Sequence, residues 1–417
     1  MNNLIINKTN DIKKKKSTLI GLCLIFLGCI IYLFFGISVE GQATFKLSRP
    51  TDPFALPNLI LPAHNFIGAS ALLIAFFGGK IIIKAPKKFT FFISLSFFLA
   101  IAAFLVWATA GKSFSLTGML QATVIRAVPI ALAAMAGIMC ERVAVINIGI
   151  EGMLLAGAFA GAIFGSIFGN FLGLILSILV GGFFGFILAA LVVTFRVDQI
   201  IAGVAINIFV LGITSFLTSH LLKINPELND APVFKSIKIP FLSEIPVLGP
   251  VLFKQNIFVY CSIFIVIIST YYLFKTAYGL RARAVGEHPK AAETLGISVV
   301  KTRFIHVIIG GMIAGFGGAW FTLGSVGRFD EGMTGGRGFI GLAAMIFGRW
   351  HPIGALFAAL IFGFADSLQQ KLAILRTPIP SEFLAMAPYL VTIIVVAGIV
   401  GNANPPQAIG KAYVKEN

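Results

Sequence analysis

Residues 275–303, KTAYGLRARAVGEHPKAAETLGISVVKTR, lie between two long apolar runs, 257–274 (IFVYCSIFIVIISTYYLF) and 302–326. Each run approaches the roughly 20 apolar residues that the core of a bilayer demands, so this stretch reads as two membrane spans joined by a basic loop. The loop has marked ends. His288-Pro289 opens a short segment, KAAETL, and Gly296 closes it. Proline at the first helical position and glycine just past the last is the expected asymmetry of a helix. A two-turn helix on a basic loop at the membrane surface has the form of a docking element for a soluble partner.

Working outward, the same pattern repeats along the chain. Of 417 residues, 58% are hydrophobic and only 12% charged, with 41 Phe and 44 Gly. A soluble protein of this size has no way to hide so much apolar surface, and the glycine content suits close helix packing in lipid. Spans are expected at 18–37, 59–83, 89–110, 117–140, 151–168, 171–194, 199–221, 257–274, 302–326, 352–370 and 383–400. A shorter apolar piece at 338–348 reads as a half-span or re-entrant helix. The fold class is all-α, a polytopic transmembrane helical bundle with about 10–12 spans. Residues 1–114 form an N-terminal membrane region, 115–404 a core and 405–417 a tail.

Lys13 to Lys16 precede the first apolar run, which is longer than a signal-peptide core and lacks its cleavage site. A retained first helix with a cytoplasmic N-terminus follows. Lys84, Lys87, Lys88, Arg142, Arg196 and the 275–303 loop then fall inside, as the positive-inside rule prefers. The 222–256 loop falls outside although it carries Lys223, Lys235, Lys238 and Lys254. Counting 338–348 as a crossing returns the C-terminus to the cytoplasm.

The net charge of +16 is spread over short loops beside apolar runs, which argues for membrane lipid and against a nucleic-acid partner. Cys23, Cys29, Cys140 and Cys261 show no metal or disulfide spacing, and no catalytic constellation or metal site is expected. Ala110-Gly111-Lys112-Ser113 resembles the end of a phosphate-binding loop, but Val106 stands where its leading glycine belongs. The longest polar stretches are too short to bury a core of their own, so ATP hydrolysis or solute capture outside the membrane falls to other chains.

Two stretches interrupt the apolar helices. Residues 140–161, CERVAVINIGIEGMLLAGAFAG, carry Glu141, Arg142, Asn147 and Glu151 with Gly149 and Gly152. Residues 331–352, EGMTGGRGFIGLAAMIFGRWHP, are similarly glycine-rich. Charged residues at such depth are costly and usually face protein or a water-filled cavity. The first stretch reads either as a plain turn with Glu141-Arg142 as an interfacial pair, or as a broken segment beside a translocation path. The two breaks, near opposite faces, are what an inverted repeat shows. Asn207 and Asp366 are further polar residues within spans. Arg126 is expected at the outer interface, His306 at the cytoplasmic boundary, and Trp107, Trp320 and Trp350 as interfacial anchors.

ERVAVINIGIEGMLLAGAF (141–159) resembles the signature E-R-x-G-V-x-N-I-G-x-E-G of bacterial ABC-importer permeases for nucleosides and simple sugars, with Ala144 in place of a glycine. VDQIIAGVAINI (197–208), GLRARAVGEHPKAAETLGI (279–297), TGGRGFIGLAAMIFGRWHPIGALFAALIFG (334–363) and PPQAIGKAYVKE (405–416) are similar to later family segments in the same order. The resemblance implies a multi-pass permease of the bacterial cytoplasmic (inner) membrane. It implies a cytoplasmic ABC ATPase, a second permease subunit (as a hetero- or homodimer) and an extracytoplasmic substrate-binding protein as partners. ATP and Mg would sit on the ATPase, with no cofactor on this chain. It places Gly279, Arg281, Arg283, Glu287, Ala291, Ala292 and Gly296 in the ATPase-coupling segment. Asn147, Gly149, Glu151 and Gly152 match the N-I-G-x-E-G motif, and with Asn207 and Asp366 they are candidates for the path. The competing reading is an ion-coupled secondary transporter of a small polar solute, to which Asp366 would be central.

Overall fold

The computed structural model describes residues 2–49, 54–84, 89–375, 383, 386 and 405–414. Among them, ten helices are long and apolar enough to cross a membrane, within a few residues of the expected positions. The expected span at 383–400 lies, apart from residues 383 and 386, outside the described residues. The chain divides into two compact units, Met1–Gly118 with Lys371–Ser381, and Met119–Gln370 with Glu382–Asn417.

In the first unit, helices α1 (Asn2–Ile31), α2 (Ala63–Lys84) and α3 (Phe89–Ala108) pack together. A small sheet that apolar periodicity did not announce accompanies them. Strand β1 (Gln42–Lys46) pairs antiparallel with β2 (Leu59–Pro62) and parallel with β3 (Ser113–Ser115). Pro62, which cannot continue a helical hydrogen-bond ladder, ends β2 and leaves the helix to start at Ala63 rather than residue 59.

The second unit contains α4 (Leu116–Glu141, from its fourth residue), α5 (Ile150–Phe168), α6 (Asn170–Ala189), α7 (Gln199–Leu217), α8 (Ile257–Lys275), α9 (Ala277–Glu287), α10 (Pro289–Thr294), α11 (Val299–Phe321), α12 (Arg337–Phe347) and α13 (Pro352–Ile374, to residue 370). Side chains cap α7, α8, α9 and α11 where they begin. Asp198 accepts from the amides of Ile200 (2.9 Å) and Ile201 (3.0 Å), and Asn256, Thr276 and Ser298 cap α8, α9 and α11. The centre is the crossing of α5, α6 and α11, where glycine faces bring backbones into contact. A β-carbon added at Gly318 would lie 2.0 Å from the Leu154 carbonyl oxygen.

Residues 223–256 close one end of this unit, with strands β4 (Ile237–Lys238) and β5 (Lys254–Gln255) paired antiparallel. Asn229 fastens this segment to the chain leaving α11, donating to the Phe329 carbonyl (3.0 Å) and accepting from its amide (2.6 Å). The opposite end carries α9, α10 and residues 405–414. From the closed end, residues 327–336 descend to the start of α12. Helix α12 continues toward the α9–α10 end, and a turn at 348–351 feeds α13, which runs back. The short apolar piece is thus a half-helix completing a crossing, antiparallel to α5.

Three expected placements are corrected. Trp320 and Trp350 are 7% and 5% exposed, buried rather than anchored at an interface. His306, near the start of α11, faces protein, its Nε2 3.0 Å from the Tyr272 hydroxyl, which does not bear on its expected depth. Arg126 engages Asp366 within the helix bundle (2.9 Å) instead of reaching an outer interface.

Candidate translocation and coupling site

The two breaks, 187 residues apart at their contact, meet through Glu151 in the first turn of α5. Its Oε1 accepts from the Thr334 hydroxyl (2.7 Å) and the Gly336 amide (2.8 Å), and its Oε2 from the Gly338 amide (2.6 Å). The Gly336 and Gly338 amides are among the backbone groups that the start of α12 leaves without an intrahelical partner. Because α5 and α12 are antiparallel with adjoining N-termini, two positive dipole ends face each other. One carboxylate lies between them, which is the favourable sign at both. Gly338 permits the approach, since a β-carbon there would stand 2.7 Å from the Glu151 Cα.

Asn207 of α7 performs the matching task for α5. Its Oδ1 accepts from the Gly152 amide (2.7 Å) and its Nδ2 donates to the Ile148 carbonyl (3.0 Å). Backbone groups released by a break at membrane depth thus find partners in the neighbouring helix. Gly149 and Gly152 lie against α7 at Gly203 and Asn207. Asn147 is completely buried. Its Nδ2 approaches Cys140 Sγ (3.4 Å) and Met153 Sδ (3.6 Å), and its Oδ1 has no donor among the described residues.

Beside this junction, Asp366 of α13 accepts from Arg126 of α4 (2.9 Å) and Arg337 of α12 (3.2 Å), with all three side chains 16–23% exposed. Arg126 also reaches Gln370, and the Arg337 guanidinium lies over the Phe321 ring. Two guanidinium groups and two carboxylates, Asp366 and Glu151, therefore cancel in formal charge where α12 begins. Sequence reading singled out the two carboxylates but not Thr334, Gly336, Arg337 or Gly338 as their partners. The run TGGRG was the available signal.

At the α9–α10 end, Glu141 and Arg142 do not pair with each other. Both hold Trp350. The indole Nε1 donates to Glu141 Oε2 (2.6 Å), and Arg142 donates to the Trp350 carbonyl from Nε (3.0 Å) and Nη2 (2.7 Å). Arg142, Arg283 and His351 surround the Phe274 ring. Burial, and then Arg283, lower the Arg142 pKa, while Glu287 opposes the shift. Burial, and then Arg142, likewise lower His351 below its ordinary value, favouring the neutral ring at neutral pH.

Ala144 occupies the left-handed region at φ 64°, where the resembling signature carries glycine. A β-carbon there costs about 1–2 kcal/mol, against about 0.8 kcal/mol for burying one methyl group. Ala144→Gly is therefore expected to leave the fold intact and raise its thermal midpoint by a few degrees in detergent, read by intrinsic fluorescence. A lower midpoint would contradict the strain argument.

The 275–303 segment forms two helices, not one. Helix α10 has Pro289 at its first position and Gly296 at φ 79° beyond its end, as expected. Helix α9 was not anticipated, although the Thr276 cap (Oγ1 to Gly279 amide, 3.1 Å) was available as a signal. Gly279 lies under the end of α8 and Gly286 against Arg142, where added β-carbons would be 2.0 Å from the Tyr272 oxygen and 2.3 Å from the Arg142 oxygen. Ala292 is buried. Arg283 is half-buried, and Arg281, Glu287, Ala291 and Gly296 are exposed, with Leu295 80% exposed at the tip.

A multi-pass helical membrane protein, with a half-helix pinned at mid-depth and an exposed helical pair at one end, has the build of a transport permease. The family model described as branched-chain amino acid transport system / permease component matches residues 119–400, and the chain belongs to that family. It is 42% identical over 305 residues to the guanosine ABC transporter permease protein NupQ of Bacillus subtilis, covering 70% of this chain and 95% of that protein. It is 37% identical over 297 residues to the nucleoside ABC transporter permease protein NupC of Lactococcus lactis, covering 69% and 93%. No solved structure matches.

Proposed function

We propose that this chain is the permease subunit of an ATP-binding cassette importer that carries nucleosides across the cytoplasmic membrane of a bacterium. The named activities of the two relatives support the solute class. So does the balanced charge of Arg126, Arg337, Asp366 and Glu151, which suits an uncharged polar solute better than an anion. In this reading a second permease subunit completes the path, and an extracytoplasmic binding protein delivers solute to the 223–256 end. A cytoplasmic ATPase, holding ATP and Mg, docks on the exposed side of α10. The α9–α10 end and both termini are cytoplasmic.

The observation that carries the coupling role is the seat of Gly286 on the Arg142 carbonyl. A displacement of α9–α10 is passed directly to the first break. From there Arg142 and Glu141 act on the turn below α12, and Glu151 acts on its top. Nucleotide can bias inward- against outward-open states only through contacts that differ between them, and this chain of contacts supplies such a lever. Asn147, Gly149, Glu151, Gly152, Asn207 and Asp366 belong to the moving junction that flanks the path.

Radiolabelled guanosine uptake by the assembled transporter in proteoliposomes tests this reading. Uptake should require ATP and persist when ion gradients are collapsed. The reverse dependence would mark a secondary transporter and sink the proposal. Gly286→Val should keep the ATPase bound but lower uptake per ATP hydrolysed about tenfold, because roughly 1.4 kcal/mol of lost coupling is tenfold. Unchanged uptake per ATP would remove Gly286 from the lever.

A further inference from the structure

Residues 405–414, PPQAIGKAYV, are tied to the first break and to three helices although they belong to no helix themselves. Pro406 lies over Gly286, where an added β-carbon would stand 3.4 Å from the proline Cβ. A tight turn follows, with Gly410 at φ 74°, a conformation that a side chain would strain. The turn aims three amides outward. Gln407 donates to Glu287 Oε2 (3.2 Å), Ala408 to the Gly286 carbonyl (3.0 Å) and Gly410 to the Ala144 carbonyl (3.3 Å). The Gly286 carbonyl is one of those that the end of α9 leaves without an intrahelical partner. Beyond the turn, Arg303 of α11 donates to the Lys411 carbonyl (3.2 Å), and the Tyr413 hydroxyl donates to Glu293 of α10.

We propose that residues 405–414 are an internal brace that makes α10 and the first break move as one body, with Tyr413 as the positioning residue that holds α10 through Glu293. The inference rests on the permease reading above and adds a second link to the break beside the seat of Gly286 on Arg142. The first argument is the weakness of α10 alone. A helix of six residues is far below the length that sustains itself, and Ala292 is its one buried residue, so its orientation has to be fixed from outside. The second argument is Tyr413. It is 9% exposed and packs in the core cluster, where a buried hydroxyl needs a partner, and the partner it has is a carboxylate. The third argument is continuity. Seven residues, 407–413, run from Glu287 past Ala144 to Glu293, and Arg303 secures their middle. Arg303 is 1% exposed, with its guanidinium 6.0 Å from the Tyr413 ring. Hydrogen bonds and packed side chains in unbroken sequence are the physical form that coupling between elements takes.

Two measurements test the brace. In the first, spin-label amino acids are placed at Leu295, beyond α10, and at Val197, both exposed, in the full chain in nanodiscs. Val197 reports on the first break because Gln199, two residues on, accepts from the Ile146 amide (2.7 Å). The distance distribution should be narrow, and Tyr413→Phe, which keeps the ring and removes only the hydroxyl, should broaden it. An unchanged distribution would overturn the brace. In the second, uptake per ATP hydrolysed is measured in the reconstituted transporter. Tyr413→Phe and Glu293→Ala should each lower it about tenfold, the order expected for losing one hydrogen bond to a charged group. The two together should lower it no further, and Glu293→Gln, which keeps an acceptor oxygen, should restore most of it. Additive losses would overturn the pairing, and an unchanged ratio beside a broadened distribution would overturn the role in coupling. Uptake without any ATP requirement in the unaltered transporter would bring down the permease reading instead, while the distance measurement would still decide the brace.

Discussion

Glu151→Ala is expected to reduce solute uptake by roughly 100-fold, a loss of about 2.7 kcal/mol in the competent population. The Glu151 carboxylate takes three hydrogen bonds of 2.6–2.8 Å from the start of α12. Each buried donor left without a partner costs about 1–3 kcal/mol, with charged acceptors toward the upper end. Alanine also removes the negative charge separating the two helix N-termini, so their dipoles repel. The half-helix loses its upper fixing point, while Trp350 still holds the lower one. Glu151→Gln retains one carbonyl oxygen but turns an amide toward a backbone N–H, and a smaller loss of about tenfold is expected. Uptake is to be measured per transporter recovered from the membrane. Near-normal uptake by Glu151→Ala would show that the two breaks do not depend on this junction.

Gly315→Leu is expected to prevent folding of the core outright. A β-carbon on Gly315 would lie 2.3 Å from the Ser177 carbonyl oxygen and 2.9 Å from the Gly181 Cα, with no flexible side chain able to yield. The neighbouring contacts are equally close, since a β-carbon on Gly181 would stand 2.3 Å from the Gly311 oxygen and one on Gly157 2.4 Å from the Gly315 oxygen. Separating α11 from α5 and α6 loses packing that lipid does not replace by any hydrophobic gain. The yield of monodisperse protein in mild detergent should fall by an order of magnitude or more, since overpacking one such site costs about 1–3 kcal/mol, occasionally more, and three helices must move. Gly212→Ala is the control. Nothing lies within 4 Å of its added β-carbon, and replacing a mid-helix glycine should stabilise by about 0.5–1 kcal/mol. Equal yields for the two variants would contradict the packing argument.

Much of the fold was legible because bilayer crossing imposes length and apolarity on each segment separately. The ends of α10 were legible for a similar local reason, Pro289 and Gly296 each acting through its own backbone. Helix α9 escaped because YGLRARAVGE has no apolar stripe of the usual strength, and its burial against Arg142 and Phe274 is tertiary. Local spacing suggested that Glu141 and Arg142 would pair, but Trp350, more than two hundred residues away, takes both. The substitution at Ala144 looked small for small, yet its backbone angle makes it a strained position.

The amino-acid sequence by itself determined that the chain crosses a membrane many times, where most spans run, and where the helices break. These are properties of single segments in contact with lipid and water. It also marked Glu151, Asn207 and Asp366 as polar groups too costly to stand at random within spans. Only the tertiary structure decided what compensates them: α12 for Glu151, the start of α5 for Asn207, and the guanidinium groups of Arg126 and Arg337 for Asp366. A buried charge constrains the chain to supply a partner without specifying which distant segment does so. That choice is made by the glycine contacts that set how closely, and in what register, the helices approach.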